Sequence, residues 1–151
     1  MRGFHFGAIT EGLDGSWGEF ALHLQCPWRL EGPAGFVTGQ GDLWEHATLS
    51  LPPEGWSYES GDSLADARLR TAIGRSAPID SQAKGGSERR LVVEAVQASE
   101  FGDITLSLSD GYVLRVFPDT SRGEAWRLLR PKGEEEHFVF PYDEDTPRTE
   151  A

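Results

Sequence analysis

Within the stretch FALHLQCPWRL, Phe20 to Leu30, an imidazole at His23 stands three residues before the only thiol of the chain, Cys26. A thiolate activated by a histidine is the raw material of nucleophilic catalysis, and His with Cys also holds zinc. Neither chemistry fits the spacing. Phe20, Leu22, Leu24, Cys26, Trp28 and Leu30 alternate with Ala21, His23, Gln25, Pro27 and Arg29, the period of two that marks a half-buried strand. Side chains three apart on a strand point to opposite faces, so His23 and Cys26 cannot grip one ion from the same side. Structural zinc takes about four ligands, usually as close pairs. His5, His23, His46 and His137 are instead scattered over different elements. No metal and no cofactor is therefore expected, and Cys26 reads as a small apolar core residue.

The other face of that strand carries His23, Gln25 and Arg29, three polar side chains able to line a pocket or meet a partner. Asp42 and Trp44 follow in GDLW, and Arg115 and Trp126 lie on later strands. Together these seven residues form the candidate binding set. Arg115 is expected to make a structural ion pair with Asp103, Asp119 or Glu124. Trp17, Trp44 and Trp56 stand at loops or strand ends with Tyr58 nearby in sequence. Such rings form a recognition patch or cap the open ends of a small barrel. The chain has no Gly-rich phosphate loop, no nucleophile-elbow serine and no histidine pair at helical spacing.

Several elements must position these groups. EGPAG, Glu31 to Gly35, reads as a turn, and FVTGQGDLW returns as a second strand that Gly39 and Gly41 weaken. Pro27 cannot donate to a ladder and marks an edge or a bulge. Leu51 to Asp62 is loop. Ser63, with Asp66 three residues on, opens a short helix of about three turns whose Ala65, Leu69, Ala72 and Ile73 share a face, and Gly74 offers a stop. Residues 75–88 read as a flexible connector. RLVVEAVQAS is a strand and DITLSLSDGYVLRVF a hairpin. A three-residue loop, Ser109-Asp110-Gly111 with Gly111 left-handed, makes one face of that hairpin wholly apolar. EAWRLLR and HFVFP form a further hairpin.

These elements predict a mainly β (α+β) fold: about seven or eight antiparallel strands and one short helix, curled into a barrel or a two-layer sandwich. Residues 1–141 are expected to form one domain, and 142–151 a disordered acidic tail. Glycine at 18 and proline at 9 fit short strands better than long helices, and 38% hydrophobic residues suffice for a core.

The net charge is −11. It repels phosphate backbones and anionic lipid, so direct nucleic-acid and membrane binding are disfavoured. A basic protein is the partner that such charge suits. One cysteine makes no internal disulfide, and the first residues hold no apolar run of signal-peptide length; a cytoplasmic location is expected.

The phrases ALHLQCPWRLEG…GDLW and ITLSLSDGYVLRVFPDTS…EAWRLL resemble a family of small bacterial proteins. These share an Ala-Leu-His-hydrophobic-Gln-Cys-x-Trp-Arg strand, a nearby Asp-Leu, and a later hairpin ending in an aromatic-Pro-Asp turn. The family carries no assigned activity, so the resemblance implies a bacterial cytoplasmic origin and no catalytic residue.

The expected function is a non-enzymatic protein-interaction module, with an immunity-type inhibitor of a basic partner as one form. The alternative is a small-ligand-binding barrel with His23, Gln25, Arg29 and Arg115 at its mouth. A weaker one is an enzyme pairing His23 with Asp42 or Glu45. The oligomeric state is not fixed by any of these features.

Overall fold

The computed structural model describes residues 1–12, 15–73, 91–120, 122–133 and 137–141. Among them are nine strands, one α-helix and three short 3-10 turns. The fold is mainly β, built on two antiparallel sheets. Neither closes into a barrel among the described residues, because each runs between two distinct edge strands. The chain forms two compact units. One comprises Met1–Pro27, Ser99–Asp103 and Val116–Ala151; the other comprises Trp28–Ala98 and Ile104–Arg115. The expected connector, 75–88, and the expected tail, 142–151, lie outside the described residues.

The first unit holds a four-stranded sheet of β1 (Arg2–Gly12), β2 (Gly15–Leu24), β8 (Trp126–Leu129) and β9 (Phe138–Phe140), in that order. The expected EAWRLLR–HFVFP hairpin is β8 with β9, in register Trp126↔Phe140 and Leu128↔Phe138. β1 has no counterpart among the expected elements. Its Phe4 and Phe6 alternate as a strand should, but the register with β2 shifts between Phe6 and Ile9, which breaks the parity beyond them. Cross-strand partners share a face. Gly3, His23, Arg127 and Val139 form one row across the sheet, and Phe4, Leu22, Leu128 and Phe138 form the next on the opposite face. Apart from Arg2, which pairs with Leu24, the paired rows of the second face are apolar. On it the Trp126 indole stacks on Phe140, with ring centroids 5.5 Å apart. Its N–H donates to the Gly102 carbonyl at 2.9 Å.

The second unit holds a five-stranded sheet in the order β4-β3-β7-β6-β5. Its strands are β3 (Trp28–Gly32), β4 (Gly35–Gly39), β5 (Val93–Ala98), β6 (Ile104–Leu108) and β7 (Tyr112–Val116). Ile104, Leu106, Leu108, Leu114 and Val116 are buried, as the expected one-sided hairpin requires. The turn differs in detail. Both Asp110 (φ 60°) and Gly111 (φ +75°) are left-handed, and the Tyr112 N–H returns to the Ser109 carbonyl. Aspartate tolerates that region better than most side chains, so Asp-Gly supplies both left-handed residues.

Two expectations need correction. Phe20–Leu30 is not one strand: β2 ends at Leu24, residues 25–27 are irregular, and β3 begins at Trp28 in the other sheet. Pro27 marks this break and not an edge position, since it has no N–H to continue the ladder. The burial alternation nevertheless persists, with Leu22, Leu24, Cys26, Trp28 and Leu30 all buried. FVTGQGDLW is a strand only to Gly39, after which Gln40–Trp44 turns as a 3-10 helix. The bulge falls earlier than Gly39, between Leu30 and Glu31 of the β3–β4 register.

The helix α1 spans Leu64–Ala72. Ser63 caps it as its spacing to Asp66 predicts: Oγ accepts the Asp66 N–H at 3.1 Å and donates to Asp66 Oδ2 at 2.6 Å. Ala65, Leu69 and Ala72 turn inward on the i, i+4, i+7 stripe.

Candidate functional site

The polar face of the first sheet gathers His5, His23, Arg127 and His137 from four successive strands or their approaches, with Gln25 and Glu124 at its end. Geometry explains the gathering. His23 and Arg127 are direct cross-strand partners, and His5 sits opposite Ala21, one row along. Glu124 is gripped by Arg127, whose Nε donates to Oε1 at 2.7 Å while Nη2 pairs with Oε2. This two-point pairing matches the flat guanidinium to the flat carboxylate. The hydrogen bond from Arg127, aided by one from Gln25, outweighs burial and holds the Glu124 carboxyl below its ordinary range. His23 is shifted down, first by burial and then by the positive potential of His5, Arg127 and His137, against which Glu124 pulls. His23 is therefore a neutral imidazole at neutral pH.

The proton positions on its neighbours follow from their contacts. The Gly18 N–H donates to His5 Nδ1 at 3.0 Å. In the neutral ring that nitrogen holds a lone pair, so the proton lies on Nε2. His137 Nδ1 stands 3.4 Å from Arg127 Nη1, which has only protons to offer, and takes the same tautomer. Among the described residues no group of three or more His, Cys, Asp or Glu is placed to hold a metal ion.

The expected binding set divides between the units. His23, Gln25 and Trp126 belong to the first; Arg29, Asp42, Trp44 and Arg115 belong to the second. Trp126, expected at a binding surface, is buried. Arg115 does make the structural ion pair that was expected, but with Glu31 and not with Asp103, Asp119 or Glu124. Its Nε lies 3.2 Å from both Glu31 oxygens, and Arg29 Nε approaches the same carboxylate at 2.6 Å. The reason is sheet order: β7 runs beside β3, which carries both Glu31 and Arg29. Burial raises the Glu31 pKa, but the two arginines outweigh it and leave the group lowered. Asp42 is also engaged. Its Oδ2 accepts from Thr38 Oγ1 at 2.7 Å and Arg68 Nη1 at 2.9 Å, tying the 3-10 turn to β4 and α1.

Trp44 is different. The residue is 61% exposed, and its indole meets Tyr58 edge to face, with centroids 4.7 Å apart. Glu45, Glu54 and Glu59 are exposed around it in sequence. Trp56, expected in the same patch, turns inward enough to donate from Nε1 to Asp62 Oδ1 at 2.7 Å.

The carboxylate that its own unit brings to His23 is Glu124, a residue outside the expected set, whereas Asp42 and Glu45 belong to the other unit. His5, Arg127 and His137 were also missing from that set. The alternation Phe4-His5-Phe6 signalled that His5 lies on a strand; nothing local signalled its neighbours. Cys26 is 1% exposed, and burial, with a contribution from Asp119, pushes its thiol up to about 11. That thiol is protonated and hidden, the opposite of an activated nucleophile. No protein-family model, curated protein or solved structure matches the chain.

Proposed function

We propose that the chain is a non-enzymatic protein-interaction module whose contact centre is the Trp44–Tyr58 pair, directed at a basic surface on a partner protein. The exposure of Trp44 carries this reading. A tryptophan costs free energy in water, and here Trp44 stays exposed with the edge-to-face contact of Tyr58 against its ring. Tryptophan and tyrosine supply binding energy at the centre of interfaces, while hydrated charges at the rim steer approach. Glu45 and Glu59, each next in sequence to one ring of the pair, are exposed and carry the sign that suits a basic partner, as does the net charge of −11. An immunity-type inhibitor would work in this way, covering the basic substrate groove of a toxin.

The test is affinity capture with the purified chain and its Trp44→Ala variant, followed by titration of the recovered protein. A basic partner should bind the wild type in a salt-sensitive way. Trp44→Ala should weaken it by about tenfold or more, the loss typical of an interface tryptophan. Glu45→Gln with Glu59→Gln should mainly slow association. Recovery of no stable partner, or a partner indifferent to Trp44, would overturn the reading.

A further inference from the structure

Among the described residues the two sheets end in four edge strands, and three of these are guarded. β1 is broken by the register shift after Phe6, where Gly7 is left-handed. β9 is only three residues long. β4 packs against α1, from which Arg68 Nη1 reaches the Val37 carbonyl at 3.4 Å. β5 has none of these devices over residues 95–98. Its sequence VEAVQA holds no proline, glycine or lysine, and its one bulge falls at the start, between Val93 and Ala95. We propose that the open edge of β5 is a docking site for an extended basic segment of a partner protein, which joins the second sheet as an added strand.

The ladder fixes which backbone groups face outward. The Ser99 N–H donates to the Asp103 carbonyl at 3.0 Å, so that pair is hydrogen-bonded. Bonded and non-bonded pairs alternate along an antiparallel ladder. Gln97↔Thr105 is therefore bonded, whereas Val96↔Leu106 and Ala98↔Ile104 are not. The N–H and C=O groups of Val96 and Ala98 point away from β6, to the side where no further described strand pairs. Residues 94–98 are all exposed. Val96 is 62% exposed, although its cross-strand partner Leu106 is buried. The apolar layer thus runs on to this edge uncovered, which offers an added strand both ladder bonds and an apolar side chain to meet.

Charge selects the occupant. Glu94 lies within β5 and Glu100 just beyond it in sequence, both exposed, and residues 91–103 contain no Lys or Arg. A second copy of this chain is a poor match. Two β5 strands paired antiparallel bring Glu94 no cation, and they join two molecules that each carry a charge of −11. A segment with alternating apolar residues and a Lys or Arg at its flanks meets Val96, the ladder groups and the carboxylates together. The site uses neither Trp44 nor Tyr58 and does not rest on the reading of that pair.

The probe is the end-capped peptide Lys-Thr-Val-Thr-Val-Thr-Lys, titrated into the full chain and followed by amide NMR. The Val96 and Ala98 amide signals should shift saturably, and their hydrogen exchange should slow by about tenfold or more as ladder bonds form. The same peptide with glutamates in place of its lysines should bind about tenfold more weakly. Ala98→Pro removes an outward N–H at an edge position that tolerates proline, and should abolish binding. Glu94→Lys should remove the preference for the lysine peptide. Methyl signals of the buried Leu106 and Leu114 report whether each variant keeps its fold; if Ala98→Pro loses them, Glu94→Lys decides. Outward amides already protected in the chain alone, shifts that never saturate, equal affinity for the two peptides, unchanged binding in both variants, or a concentration-dependent dimer in sedimentation would each sink the proposal.

Discussion

His46 turns Nε2 toward Asp62 Oδ2 at 3.4 Å, while its Nδ1 accepts the backbone N–H of Thr48 at 3.2 Å and of Leu49 at 3.1 Å. This is the reverse of a primed catalytic pair, in which the carboxylate takes Nδ1–H and leaves Nε2 free for substrate. With both ring nitrogens occupied, His46 is a staple for the loop between β4 and α1. His46→Ala should cost about 1 kcal/mol, the net worth of an exposed hydrogen-bonded contact. Urea unfolding measures the loss, and the Trp56 indole N–H signal should move with it. An unchanged midpoint would mean the loop is held by other contacts.

Glu124 should make part of the stability acid-labile. Its carboxyl is held below the ordinary value of 4.5, chiefly by Arg127. The unfolded chain therefore binds a proton at higher pH than the native one. The resulting stability is full above about 4.5 and is lost as pH falls through the native value. Glu124→Gln should lower stability at pH 7 by about 1–3 kcal/mol, because it leaves Arg127 unpaired. Wild type and variant should converge in acid. Parallel stability curves across the acid range would contradict this.

His23 acts in a higher window. Its native pKa is lowered from 6.5, first by burial. Below that value the unfolded state charges first, so stability present at neutral pH is lost as pH falls toward the native pKa. His23→Gln should flatten the stability profile just below pH 6.5. The measurement is the urea midpoint against pH in an anion-poor buffer; an identical slope in wild type and variant would count against it.

Cys26 should be inert in the native state. A thiol raised to about 11 and 1% exposed offers almost no thiolate at pH 8. A disulfide reagent should react with it only as fast as the protein opens, and at full rate in urea. Rapid labelling of folded protein would show the sulfur to be accessible. Cys26→Ser buries a hydroxyl where a weakly polar sulfur stood and should cost about 1–3 kcal/mol.

Ser63 caps α1 and is fully buried. Ser63→Ala should cost about 1–2 kcal/mol, at the upper end for lost caps because it also removes a partner from the buried Asp66. Thermal unfolding by circular dichroism measures it. Ser63→Thr, which keeps the oxygen, should recover part of the loss.

Local chemistry was legible wherever a few neighbouring residues decide the outcome. Ser63 and Asp66 announce the helix start because a cap spans three residues. Pro33-Ala34 between Gly32 and Gly35 closes the β3–β4 hairpin where EGPAG promised a turn. The sidedness of the β6–β7 hairpin followed from matching apolar parity, although the number of left-handed residues in its turn did not.

The sequence by itself determined which side chains between Phe20 and Leu30 go inside, because the strand period sorts them whatever the strand pairs with. It could not determine that the chain leaves one sheet after Leu24 and enters another at Trp28, since the alternation keeps its parity across residues 25–27. Only the tertiary structure decided that Arg115 meets Glu31, 84 positions away, and that His5, His23, Arg127 and His137 share a face. Sheet order brings these groups together, and sheet order depends on distant strands burying their apolar sides, which no single stretch of residues encodes.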